Sequence, residues 1–377
     1  MLQRTTLVTA VICLFLATVA WARAADPIPA NDTARFLAGL PVAAESPLAA
    51  LSKDPSWQEH ARNFDSAFEQ VEHSQLAHIR AWSAANLTAS RPTMFYMFGG
   101  PDFLYANSFF PRAKTYVLSG LEQVGAVPDL TTLRGSLGPD LSKLRRSLRW
   151  ILQYSYFITS QMGSDLYSGR LNGVLPVLYV FLARSGMTIE NVTFVRLDDD
   201  GAVQPELDGP RRAPARGVKI AFSGSDGEVR TLYYFSTNLA NDGVDKSKFL
   251  VFCATLAPGD SLVKSASYLL HGRGFSKVRE FLLANSAVMV QDDTGIPLSY
   301  YEAEKWELHP FGHYVGPIAV FRGMYQKKYA ELFKESQPID FGIGYRWRPN
   351  QSNLLLAVKK SGVSLSDLSL GPLPPKP

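Results

Sequence analysis

Cysteine is almost missing from this chain, which has two in 377 residues. Cys13 falls inside an apolar leader, so a chain that loses the leader keeps one thiol and can form no internal disulfide. That thiol, Cys253, sits in the apolar run Phe249-Leu-Val-Phe-Cys-Ala254. It reads as a small buried hydrophobe, because its segment offers no base to activate it as a nucleophile. Charge of one sign is lacking too: 38 basic residues face 34 acidic ones, which excludes the strong basic excess of a general nucleic-acid binder. Beyond the leader, no apolar run reaches the about 20 residues that a membrane-spanning helix requires. Several signatures are absent as well. There is no Walker loop, no Cys-x-x-Cys, no G-x-S-x-G elbow and no H-E-x-x-H, so the sequence motifs of P-loop, thiol-redox, lipase-type and zincin chemistry are all missing. Asp198-Asp199-Asp200-Gly201 lacks the alternating ligand order of a calcium loop and reads as an acidic turn.

What is present begins with the leader. Arg4 precedes an uncharged run from Leu7 to Ala20, and Ala22-Arg23-Ala24 places small residues where a signal peptidase cuts. Residues 1–24 are therefore expected to be a cleaved export signal. Its removal takes Arg4 and Arg23 and no acid, leaving 36 basic and 34 acidic residues. The expected location is extracytoplasmic, periplasmic or secreted, with no integral membrane segment after cleavage. Such a location weighs against ATP- or NAD-dependent chemistry, and no cofactor is singled out.

The rest predicts an α/β or α+β fold: one large globular body over residues 25–360, with a mixed sheet packed by several long helices, and a disordered proline-rich tail over 361–377. Trp57, Ala61, Phe64, Phe68 and Val71 recur at helical spacing and predict a helix over 55–86. Its three histidines, His60, His73 and His78, are placed at the surface or boundary. Further helices are expected over about 140–162, 173–184, 260–272, 275–284 and 323–335. Thr93–Phe98, Lys114–Ser119, Thr188–Leu197, Val218–Ser223, Val229–Ser236, Ala287–Gln291 and segments near 341–347 and 353–360 read as strands.

Two acidic turns that follow apolar strands are the candidate sites. Gly99-Gly100-Pro101-Asp102 separates a strand from a short helix, and Glu122 ends the next strand, near the place where dinucleotide-binding folds put a ribose-binding acid. The fingerprint G-x-G-x-x-G is nevertheless missing, and Asp102 suits a helix N-terminus better than it suits a phosphate. Gln291-Asp292-Asp293-Thr294-Gly295 is the second turn. A single Asp-Thr-Gly lacks the partner motif of an aspartic protease, and adjacent carboxylates point apart on a strand. Asp102, Glu122, Asp292 and Asp293 are the candidate catalytic carboxylates; Gly99, Gly100, Tyr96 and Tyr105 are the candidate ligand contacts. His309 and His313 have metal-pair spacing for a helix, but Pro310 and Gly312 oppose a helix there, so no metal site is assigned.

Phe95-Tyr-Met-Phe-Gly-Gly-Pro-Asp-Phe-Leu-Tyr-Ala106, Tyr116-Val-Leu-Ser-Gly-Leu-Glu122, Gly173-Val-Leu-Pro176, Gln291-Asp-Asp-Thr-Gly-Ile-Pro297 and Ser352-Asn-Leu-Leu-Leu-Ala357 resemble a family of uncharacterised exported bacterial proteins. The likeness covers roughly residues 90–360. It implies an exported bacterial origin and carries no activity with it. The functional expectation is an exported soluble protein, a hydrolase-like enzyme acting on a small polar or carbohydrate-like ligand. The alternatives are a noncatalytic periplasmic binding protein and an envelope interaction protein.

Overall fold

The computed structural model describes residues 28–130, 137–157, 170–206 and 216–360. The expected signal, the proline-rich tail and the end of the helix expected to reach residue 162 lie outside these. After the short helix α1 (Ala30–Leu37), the first long helical stretch is α2 (Pro55–Val71) followed by α3 (Ala77–Asn86), with a π-helical turn over Glu72–Leu76 joining them. Asp54 caps α2 by accepting from Ser56 N at 2.8 Å, and Pro55 occupies the first turn, where its missing N–H costs nothing. The π turn shifts the phase of the helix. Ile79 and Trp82 therefore stay buried beyond it, which accounts for the drift of the apolar stripe. His60, expected near the surface, is fully buried, with Nε2 on Leu37 O at 2.8 Å. The α5 helix (Leu137–Tyr154) buries Leu137, Leu141, Leu144, Leu148 and Ile151, and α6 (Leu175–Arg184) is buried on almost every side.

Among the described residues, one mixed sheet of ten strands organises the fold, in the order β4-β3-β5-β6-β2-β1-β7-β8-β10-β9. The ranges are β1 Thr93–Tyr96, β2 Thr115–Gly120, β3 Thr188–Leu197, β4 Val203–Pro205, β5 Arg216–Ser223, β6 Val229–Ser236, β7 Gly259–Val263, β8 Ser286–Gln291, β9 Trp306–Gly312 and β10 Asn353–Lys359. The five central strands, β6-β2-β1-β7-β8, are parallel, and antiparallel strands flank them on both sides. Central parallel strands are covered on both faces, so they read as continuous apolar runs. In β1, Met94 and Tyr96 pack into one core, while Phe95 packs into the other together with Met97 just beyond the strand.

The chain leaves β1 through α4 (Phe103–Phe109) and returns beside it as β2, on one side. After β6 it passes through α7 (Asn241–Ser247) and α8 (Phe249–Thr255) and returns as β7 on the other side of β1. The α9 helix (Ser276–Asn285) then leads to β8. The helices before β6 pack into the first core, and α7, α8 and α9 pack into the second. A reversal of direction along the sheet together with a change of face keeps every crossover the same hand. The result is a switch point between β1 and β7.

Two further sequence expectations fail. Residues 259–263 form the central strand β7, not the start of a helix over 260–272, and the segment 341–347 contains only an isolated bridge between Ile343 and Arg346. His309 lies on the edge strand β9, a strand the sequence pattern does not announce. No helix among the described residues is long and apolar enough to cross a membrane.

Candidate site at the switch point

In open α/β sheets, ligands bind outside the carboxyl ends of the strands where the order reverses. A cavity of ≈ 200 Å³ opens at that place here. Tyr96 to Gly100 and Asp102 line it from the exit of β1, and Ser119 to Glu122 from the exit of β2. Thr237 to Leu239 come from the exit of β6, and Lys264 to Ser267 from that of β7. Tyr156, Phe157, Leu269, Phe275 and Tyr345 close it from outside the sheet.

The turn after β1 is built around Asp102, which is 1% exposed. Its Oδ1 accepts from Tyr105 N at 3.0 Å and so caps α4, while its Oδ2 accepts from Tyr96 OH at 3.0 Å. The same Oδ2 lies 3.0 Å from Lys264 Nζ, and both side chains are 1% exposed. Lys264 also donates to Ser155 O, and its ammonium stands 3.8 Å from the centre of the Tyr105 ring. Burial lowers the Lys264 ammonium, and Asp102 and Asp292 pull it back up. Burial and the neighbouring Asp102 raise the Tyr96 phenol far above its ordinary value.

Glu122 lies at the mouth of the β2 exit. Tyr234 OH donates to its backbone carbonyl at 2.8 Å and touches Oε2 at 3.5 Å. Burial raises this carboxyl above its usual range, against the hydrogen bonds that favour its charge. The side chain folds over bare backbone: a Cβ on Gly120 would stand 2.4 Å from Glu122 Oε2, and Gly100 turns with φ +58 just beyond. Glycine at 120 is what lets the carboxylate lie along the turn, and glycine at 100 takes the left-handed backbone of the turn itself.

The second acidic turn has a different role. Asp292 Oδ2 accepts from Ser265 N at 3.0 Å, and its Oδ1 accepts from Thr294 N at 3.0 Å and from the Thr294 hydroxyl. Thr294 Oγ1 in turn accepts from Ala266 N at 2.7 Å. Asp293 accepts from the Tyr268 hydroxyl and, at 3.1 Å, from Asn353 Nδ2. The turn after β8 therefore clamps the loop after β7, in which Ser265, Ser267 and Tyr268 all hold positive φ (55, 51 and 57). Non-glycine residues rarely adopt this conformation, and such strain persists only where the surroundings over-determine it. Burial, reinforced by Asp293, raises the Asp292 carboxyl well above its usual range. Burial also raises Asp293.

Of the residues singled out from sequence, Tyr96, Gly99, Gly100, Asp102 and Glu122 surround one cavity. Tyr105, Asp292 and Asp293 do not line it. Tyr105 lies beneath the Lys264 ammonium, and the two aspartates lie behind the Ser265 loop. Sequence reasoning missed Lys264, Thr237 and Tyr345. Lys264 had one visible signal, a lysine directly after the apolar pair Leu262-Val263. Among the described residues, no group of three or more His, Cys, Asp or Glu side chains could hold a metal ion. No protein-family model, curated protein or solved structure matches this chain.

Proposed function

We propose that this protein binds a small, hydroxyl-rich ligand, a sugar or a sugar-bearing molecule, in the crevice at the carboxyl ends of β1, β2, β6 and β7. The observation that carries the reading is Glu122: a carboxylate at the end of β2, laid over two glycines, at the switch point of a parallel sheet. A carboxylate in that setting accepts from two adjacent hydroxyls at once. The cavity, at ≈ 200 Å³, is below the about 300–1,000 Å³ typical of sites for drug-sized molecules, so the ligand is small or partly exposed. Tyr156 and Tyr345, in edge contact with ring centres 4.9 Å apart, give it an aromatic wall beside the loop after β7, where Tyr345 OH bonds Ser265 O and Ser267 Oγ. The leader over residues 1–24 would place this binding outside the cytoplasm.

Hydrolysis is less well supported by the geometry. Glycoside cleavage needs two carboxyl groups free to move protons across the scissile bond. Asp102 is held by Lys264, Tyr96 and the start of α4, and Asp292 and Asp293 are occupied elsewhere. Titration calorimetry with ribose, adenosine and glucose tests the binding reading. Wild type is expected to bind at least one, and Glu122→Ala to weaken that binding by ~1.5–3 kcal/mol, the worth of a hydrogen bond to a charged group. No binding at millimolar concentration, or an unchanged affinity in Glu122→Ala, would sink it.

A further inference from the structure

Resting on that reading of the crevice, we infer that its ligand is a nucleoside that carries no phosphate, neutral or positively charged where it faces the turn after β1. The central strands read 3-2-1-4-5 when numbered along the chain's path through the parallel sheet, the order of a dinucleotide-binding sheet. In such a sheet the acid at the end of the second strand takes the ribose hydroxyls, and Glu122 holds that position here. The base would lie toward the exit of the third strand, here β6. There Thr237 supplies a polar atom and Leu239 an apolar one, and Phe98 from the β1 exit and Phe275, with ring centres 6.3 Å apart, add apolar surface to the same cavity. Thr237 is 4% exposed and its Oγ1 has no hydrogen-bond partner among the described residues. A buried hydroxyl left unpaired costs free energy until a partner arrives, and the edge of a base offers donors and acceptors at that depth.

The phosphate-binding half of the dinucleotide pattern is replaced. There, the turn after the first strand leaves free N–H groups of a helix to face an anion. Here Asp102 fills that place with its own carboxylate, accepting from Tyr105 N at 3.0 Å. The one cavity-lining cation among the described residues, Lys264, is bound to that carboxylate at 3.0 Å. Among the described residues the charged lining is therefore Asp102, Glu122 and Lys264, with one negative charge in excess. A phosphate at this turn would meet carboxylates on two sides, while an uncharged sugar or a sulfonium or ammonium group would not be repelled.

The test is calorimetric titration of the full chain with adenosine, AMP, NAD, the sulfonium nucleoside S-adenosylmethionine, and glucose. Adenosine and the sulfonium compound are expected to bind. AMP and NAD are expected to bind at least ~10-fold more weakly, because the added charge sits near carboxylates in a low-dielectric crevice. Thr237→Val, which removes only the hydroxyl, is expected to weaken adenosine ~2–10-fold without lowering Tm. If AMP or NAD binds as tightly as adenosine, the inference fails while the sugar-binding reading stands. Glucose binding without nucleoside binding likewise overturns the inference alone. If none of the ligands binds, both readings fail together.

Discussion

Replacing Lys264 with methionine leaves a buried carboxylate without its counter-charge. In the native fold the Lys264 ammonium and the Asp102 carboxylate are 3.0 Å apart and each 1% exposed. Removing one partner of such a pair typically costs ~3–5 kcal/mol, because the survivor stays desolvated and unpaired. The lower part of that range fits Lys264→Met, since Asp102 keeps Tyr96 OH and Tyr105 N. With an unfolding entropy of ~2.1 cal/mol/K per residue over the about 300 described residues, 3–5 kcal/mol corresponds to a Tm lower by roughly 5–8 °C. The double variant Asp102→Asn/Lys264→Met behaves differently. Asparagine still caps α4, methionine fills the lysine stem, and neither member of the pair is left as an unpaired charge. Its stability is expected within ~1–2 kcal/mol of wild type, since replacing a whole buried pair is often nearly neutral. Scanning calorimetry of the two single variants, the double variant and wild type reads the coupling directly. If the double variant loses the sum of the two single losses, or Lys264→Met alone costs under ~1 kcal/mol, the pair is not coupled as described.

Acid should loosen the protein partly through His60. Burial, with Arg145 and Arg184 nearby, lowers this imidazole from 6.5 to about 4. The stability tied to its neutral form is therefore complete above pH 6.5 and is lost as pH falls toward 4, a contribution of up to ~3 kcal/mol. Asp292, whose carboxyl burial and the neighbouring Asp293 raise, acts with the opposite sign: its contribution is complete below about pH 3.8 and is lost as pH rises above that. The clean measurement is thus a difference in Tm between pH 7 and pH 4.5. His60→Gln is expected to lose less than wild type, and equal losses would refute the role of His60. Gly344→Ala tests the clamp behind the crevice. The glycine has φ +69, and a Cβ there would stand 1.8 Å from Asp292 Oδ2, so a loss of ~2–4 kcal/mol is expected from strain and overpacking. A neutral Tm would show that Asp292 is free to move aside.

Periodicity carries much of the fold. The sequence Thr93 to Glu122 reads correctly as strand, glycine turn, helix and strand, because each piece is short, strongly apolar and bounded by glycine or proline. His60 is misplaced from sequence although its position holds the signal: it follows Trp57 by three and precedes Phe64 by four, on the buried stripe itself. β7 is illegible for another reason. It has five residues, all buried, and Asp260 and Ser261 interrupt its apolar run, so neither a strand nor a helix period can show. With β7 goes Lys264, and with Lys264 the partner that explains Asp102. β9 is hidden by Pro310 and Gly312, which argue against a central strand but are tolerated on an edge, where β9 lies. Whether the two acidic turns converge is beyond sequence, because that depends on which strand separates them. β7 does, so one turn lines the crevice and the other braces its wall.

The change of face between β1 and β7 has a consequence for how such a protein diversifies. Neither helical layer can close over the sheet's carboxyl edge at that seam, so the opening belongs to the route of the chain and not to any particular side chain. The residues that line it are mainly exits of strands, while the two packed layers that carry stability lie on either side. A lineage could exchange a handful of exit residues and alter what the crevice accepts while the scaffold beneath stays the same.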